Sequence, residues 1–257
     1  MAPFFQSAEA LARWLTSSRP ARWLRTHFPG LYAFLLRRLT WGPFTGLTLT
    51  GLCGLLIVNG MLFSEMAENL VNGEPMVQID RHVTQFLFRY RTPFFSQLLY
   101  GLTYAASSYA SIALTGAMAL IALYRRRYRQ AIAIVLVMAG MALSVYYGKQ
   151  VFHRIRPLAT VAYYSVNSFS FPSGHAATAL ALYGLAGYLL ANTLAGSGRV
   201  LALAVCTLLV LVVGFSRIYL GVHFLSDVAA GYLLGGSWLV LGIMLMRWRN
   251  PTESTSP

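Results

Sequence analysis

Six apolar runs, each near the length that crosses a bilayer, constrain this chain more than any other feature. They cover residues 46–63, 94–124, 130–148, 174–194, 200–215 and 228–246. A spanning helix needs about 20 mainly apolar residues. Inside hydrocarbon every backbone N–H and C=O must be satisfied within the protein, so runs of this kind cross as helices. The expected fold is therefore all-α: a polytopic membrane bundle of about six transmembrane helices. Composition agrees, since 57% of the residues are hydrophobic and only 11% charged, against about 25% charged in a soluble domain. The runs are too many for a signal peptide.

The formal net charge of +13 raises nucleic acid as a partner. The placement of the arginines argues against it, because most of them stand at the ends of apolar runs. There they read as topology signals and as contacts to anionic headgroups. Arg37, Arg38, the basic run 125–129, Arg199, Arg247 and Arg249 fall on one side of the bundle. That side is expected to be cytoplasmic and to hold both termini, as in a bacterial inner-membrane protein. Segments 149–175 and 216–227 then lie on the outer side, and a site there would face the periplasm. Three parts are expected: a basic extension 1–45, a transmembrane domain 46–249 and a disordered tail 250–257. The extension mixes Arg13, Arg22 and Arg25 with Phe4, Phe5, Trp14 and Trp23, and Pro20 and Pro29 interrupt it. It reads as interfacial helices, or equally as a mobile basic tail. Segment 78–91 spaces Ile79, Val83, Phe86, Leu87 and Tyr90 helically, as in an amphipathic helix at the outer surface. Cys53 and Cys206 both lie in apolar runs, without metal or disulfide spacing.

The chemistry-bearing residues form three polar islands on the outer side. The first is 149–157, with Lys149, His153, Arg154 and Arg156 before Pro157. The second is Phe171-Pro172-Ser173-Gly174-His175. The third is 216–227, with Arg217, His223 and Asp227. Asp227 is the only acid between Asp80 and Glu253, and a lone carboxylate at the edge of a span needs a partner. His223, one helical turn upstream, can supply it. A carboxylate on one ring nitrogen fixes the tautomer and leaves the other nitrogen free to attack. Guanidinium forks match phosphate oxygens. Pro172-Ser173-Gly174 opens a helical run, where free amides attract an anion. No acidic cluster suits a two-metal site.

In order and spacing, Lys149…Arg156-Pro157, Pro172-Ser173-Gly174-His175 and Ser216-Arg217…His223…Asp227 resemble the three-part signature of the type 2 phosphatidic acid phosphatase (PAP2) superfamily. That superfamily includes membrane lipid phosphate phosphatases and soluble vanadium haloperoxidases. The resemblance covers about a third of the chain by motif and more by the six-span layout. It implies that His223 is a nucleophile forming a phosphohistidine, that Asp227 orients it, and that His175 is the general acid and then the base. It further implies that Lys149, Arg156, Arg217, Ser173 and Gly174 hold the phosphoryl oxygens, without metal or cofactor. The implied substrate is a lipid phosphate or pyrophosphate: undecaprenyl pyrophosphate, phosphatidylglycerophosphate, phosphatidic acid or a lipid A phosphate. Two other readings differ in class. A phosphotransferase would pass the same phosphoryl group to a lipid or sugar. A lipid transporter or scrambler would spread polar residues through its spans, whereas here they gather at one surface.

The remaining polar residues read as structural. Arg154 is expected to snorkel and His153 to sit in a loop. His27 and His82 are expected at the surface. Tyr163, Tyr164, Phe169 and Phe171 read as interface anchors, and Ala176, Ala177, Ala179 and Gly184 as close-packing positions.

Overall fold

The computed structural model describes residues 17–39, 44–73 and 75–247, which form ten α-helices and no strand. They fall into two compact units, Ile57–Met246 and a second made of the chain up to Leu56 together with Arg247 onward. Phe4, Phe5, Arg13, Trp14, Arg249 and the tail 250–257 lie outside the described residues.

The unit that runs to Leu56 holds α1 (Arg19–His27) and α2 (Pro29–Leu39). Ser18 caps α1 by accepting the Ala21 N–H at 3.3 Å. The two helices enclose an apolar cavity of about 310 Å³ between Trp23, Leu24 and Tyr32, Leu35, Leu36. A kinked turn at Phe44–Thr48 leads into α3 (Leu49–Asn72).

The remaining helices are α4 (Pro75–Arg89), α5 (Pro93–Thr103), α6 (Ser108–Tyr124), α7 (Tyr128–Phe152), α8 (Gly174–Ala191), α9 (Gly196–Tyr219) and α10 (Leu225–Arg247). Among the described residues, five segments are long and apolar enough to cross a membrane by themselves. Segment 94–124, expected as one span, is instead α5 and α6, bent by 41°. A short 3-10 turn at Tyr104–Ala106 and the cap Ser107, which accepts the Ala110 N–H, start a new helix there. Counting that pair as one broken span gives six. The chain is a multi-pass membrane protein.

Helices α8 and α10 cross where only small residues fit. A Cβ on Gly231 would stand 2.6 Å from the Ser173 carbonyl oxygen, and one on Gly235 2.4 Å from that of Ala177. Ala176, Ala177 and Ala179 are fully buried beside this crossing. Close backbone approach through small residues is how membrane helices gain packing. Here it places the start of α8 against the start of α10.

One expectation for 78–91 is corrected. Ile79, Phe86 and Tyr90 are exposed, while Asp80 and Thr84 are buried and Val83 and Leu87 pack on Ala176, Ile218 and Val228. The inward face of α4 is Asp80-Val83-Thr84-Leu87, spaced i, i+3, i+4, i+7. It holds an acid because a buried cation awaits it.

Candidate active site

All eight predicted site residues come together around the ends of α7, α8, α9 and α10. Lys149 stands in the last turn of α7, which His153 ends in a left-handed conformation at φ +46°. Lys149 Nζ donates to the Phe169 carbonyl at 2.6 Å. Arg156 follows in the loop. Its Nε donates to the Ser168 carbonyl at 2.7 Å, and its Nη1 donates to the Val222 carbonyl at 2.5 Å. The same Nη1 lies 3.1 Å from His223 Nε2.

His223 is 2% exposed and sits in the loop between α9 and α10. Its Nδ1 faces Asp227 Oδ2 at 3.4 Å. A guanidinium can only donate, so the Arg156 contact places a lone pair on Nε2 and the proton on Nδ1, toward the carboxylate. Burial above all, then the charges of Arg156, Arg217 and Lys149, hold the His223 ring well below the usual histidine range. It is neutral at pH 7, with its Nε2 lone pair directed at Arg156. Arg156 is pulled down to about 10, chiefly by burial and then by Arg217, and keeps its charge at neutral pH.

Asp227 does two things at the start of α10. Its Oδ2 accepts the Phe224 N–H at 2.8 Å, as a capping carboxylate three residues into a helix does. The same oxygen faces His223. Arg217, on the last turn of α9, is 2% exposed. Its Nη1 donates to Thr103 Oγ1 at 3.1 Å and to the Tyr164 hydroxyl at 2.6 Å, and its Nε has no partner. Ser173 Oγ is likewise buried without a partner. His175 lies within electrostatic reach of His223, Arg217, Lys149 and Arg156. It also lines a cavity of about 610 Å³ that runs between α6, α7 and α8 past Ile112, Met138 and Met141.

The Ser173 amide departs from expectation. It donates to the Asp227 carbonyl at 2.9 Å, tying α8 to α10, and is not available to an anion. The amides of Gly174 and its two successors remain free, since the first intrahelical bond is Ala177 N–H to Ser173 O.

Other readings are corrected here. Arg154 does not snorkel: it is 8% exposed and bridges Asp80 at 2.6 Å and Asp227 at 2.5 Å. An aspartate 74 residues away was its partner, and spacing along the chain carried no sign of that. Phe171 is not an interface anchor but a fully buried core ring against Phe63 and Phe152. Tyr164 holds Arg217. His153 meets the ring of Phe169 edge-on, and His27 and His82 are exposed as expected. Cys53 and Cys206 are free.

The PAP2 superfamily profile matches residues 130–251, which contain all eight expected site residues. The chain is 26% identical over 181 residues to phosphatidylglycerophosphatase B of Bacillus subtilis strain 168, covering 69% of this chain and 88% of that one. It superposes on the crystal structure of the transmembrane PAP2-type phosphatidylglycerolphosphate phosphatase from Bacillus subtilis with a TM-score of 0.68. That match has 25% identity over 73% of this chain and 94% of the other. This chain belongs to the PAP2 superfamily. As a membrane PAP2 phosphatase it also shares its fold with Aquifex aeolicus LpxE, at a TM-score of 0.52 and 23% identity, over 66% of this chain and 96% of that one.

Proposed function

We propose that this PAP2 phosphatase hydrolyses a lipid phosphate monoester through a phosphohistidine on His223. The observation that carries the reading is the polarity of the His223 ring, with Nδ1 toward Asp227 and Nε2 toward Arg156. The basic nitrogen thus points at the cation cluster where a phosphate would bind.

In the first step the Nε2 lone pair attacks phosphorus. The bond from phosphorus to the lipid oxygen breaks, and that oxygen takes a proton from His175. The ring gains positive charge, which Asp227 offsets through Nδ1–H. In the second step His175 takes a proton from water, the water oxygen attacks phosphorus, and the electron pair of the P–N bond returns to Nε2. Arg156, Arg217, Lys149, the Ser173 hydroxyl and the Gly174 amide hold the phosphoryl oxygens throughout. Phosphoryl transfer asks mainly for positioning and charge stabilisation, which this set supplies without a metal.

The basic run 125–129 and Arg199 sit at the opposite helix ends from the site. By the charge bias of the loops the site faces the periplasm and both termini the cytoplasm. The basic segment 1–45 serves as an interfacial extension of the transmembrane domain 46–249, with 250–257 as a tail. Phosphatidylglycerophosphate is the first substrate to try, given the Bacillus relative.

The test is phosphate release from a panel of phosphatidylglycerophosphate, phosphatidic acid, undecaprenyl pyrophosphate and lipid A phosphate, with His223→Ala beside the wild type. Loss of release in a folded His223→Ala protein is expected. Near-normal turnover would refute the nucleophile, and a phosphorylated acceptor in place of free phosphate would make the protein a transferase.

A further inference from the structure

Behind the reacting groups lies a buried set of charges that the three-part signature does not contain. Asp80 comes from α4 and is 1% exposed; Arg154 comes from the loop after α7. Asp80 Oδ1 accepts the Ser226 N–H at 3.0 Å, and its Oδ2 accepts Arg154 Nη2 at 2.6 Å and the Ser226 hydroxyl. Arg154 Nη1 donates to Asp227 Oδ1 at 2.5 Å and to Ser226 Oγ at 2.7 Å. The guanidinium lies over the Phe224 ring, 4.4 Å from its centre. Four side chains therefore run in line: Asp80, Arg154, Asp227, His223.

The two oxygens of Asp227 have different tasks. Oδ1 is held by Arg154, while Oδ2 faces the Phe224 amide and, more loosely at 3.4 Å, His223 Nδ1. A carboxylate joined to its imidazole by a long contact depends on its other contacts for aim. Burying a guanidinium between two carboxylates is expensive, and a core of apolar residues would hold the helices as well. A full positive charge on Oδ1 by itself would also cancel the negative charge that the imidazole needs as it is phosphorylated. Asp80 draws on that positive charge from the far side, so Asp227 keeps part of its own for His223.

We propose that Asp80 and Arg154 are positioning residues for phosphoryl transfer: together they aim Asp227 and keep its charge available to His223. The proposal rests on the reading of His223 as nucleophile. It makes the inward face of α4, outside the signature, part of the machinery.

The two residues should act in opposite senses on the same ring. The charged groups in contact with His223 are Asp227 and Arg156, with the Ser170 backbone beside the ring and Lys149, Arg217 and His175 in electrostatic reach. Asp80→Asn leaves Arg154 to act on Asp227 undivided, so protonated His223 loses support and the acid limb of kcat/KM moves to lower pH. Arg154→Gln leaves Asp227 unopposed, so the limb moves to higher pH. A role confined to holding the fold would move neither limb.

The experiment uses full-length protein in detergent, dioctanoyl phosphatidic acid as probe, and size exclusion to count folded enzyme. Each substitution is expected to lower kcat per folded molecule by about a hundredfold, the loss typical of a misplaced reacting group, while KM changes by less than about threefold. Arg154→Lys, which keeps the charge, is expected to regain part of the loss. Should Arg154→Gln fail to fold, Asp80→Asn, close to the native shape, and Ser226→Ala, which removes the bridging hydroxyl without changing charge, carry the test. Both should lower kcat with KM nearly unmoved. Rates within about twofold of wild type, or acid limbs coincident with it, overturn the proposal. His223→Ala separates the two readings. If it is inactive while Asp80→Asn and Arg154→Gln are fully active, positioning alone fails. If it is as active as wild type, the nucleophile assignment fails first.

Discussion

Replacing Ser173 by alanine should make this phosphatase more stable and a worse enzyme. Ser173 precedes α8, where a serine hydroxyl ordinarily accepts an amide of the first turn. This one makes no such bond and is fully buried without a partner. A buried hydroxyl left unpaired costs roughly 1–3 kcal/mol. The methyl of alanine leaves the backbone bond to Asp227 intact, so most of that penalty is relieved. A net gain of about 1 kcal/mol would raise Tm by about 2–4 °C. In the phosphoryl-transfer step the same hydroxyl would donate to a charged oxygen, which contributes about 1.5–3 kcal/mol. Its loss lowers kcat/KM by about tenfold to a hundredfold. Thermal unfolding in detergent and phosphate release on the same preparation give both numbers. A variant that melts lower than wild type, or one with unchanged kcat/KM, would show that the hydroxyl is not waiting for a phosphate.

The depressed His223 ring has consequences for pH. The acid limb of kcat/KM should lie below about 6.5, the ordinary histidine value, because the free ring must be neutral to attack. Its folded value lies below its unfolded one, so on acidification the unfolded chain takes up the proton first. The stability it contributes is present in full above about pH 6.5 and is lost as pH falls from there through the folded value. The fall in Tm between about pH 7 and 5 should therefore be smaller in His223→Ala than in wild type; equal falls would contradict this. Gly221→Ala should lower stability by about 2 kcal/mol or more. Gly221 has φ +66°, and a Cβ there would stand 2.4 Å from the Val161 carbonyl oxygen. An unchanged melting curve would mean that the 158–164 loop yields freely. Turnover should survive EDTA, since fixed cations surround the site; a strict need for a divalent ion would overturn the electrostatic account.

Sequence alone determined what is local. Continuous apolar runs pointed to spanning helices, because such a run can satisfy its own backbone hydrogen bonds in hydrocarbon only as a helix. The order and spacing of the three islands carried the resemblance to the PAP2 superfamily, and with it the phosphoryl chemistry proposed for them. Tertiary structure decided the rest. It broke the second span at Ser107, committed the Ser173 amide to Asp227, and turned the Asp80 face of α4 inward. Above all it joined Asp80 to Arg154, which looked like an ordinary interfacial arginine beside its signature neighbour Arg156. Periodicity reports which face of one helix is apolar. It cannot report that a charge on that face meets an opposite charge from a distant loop, because that pairing exists only once the helices have packed and excluded water.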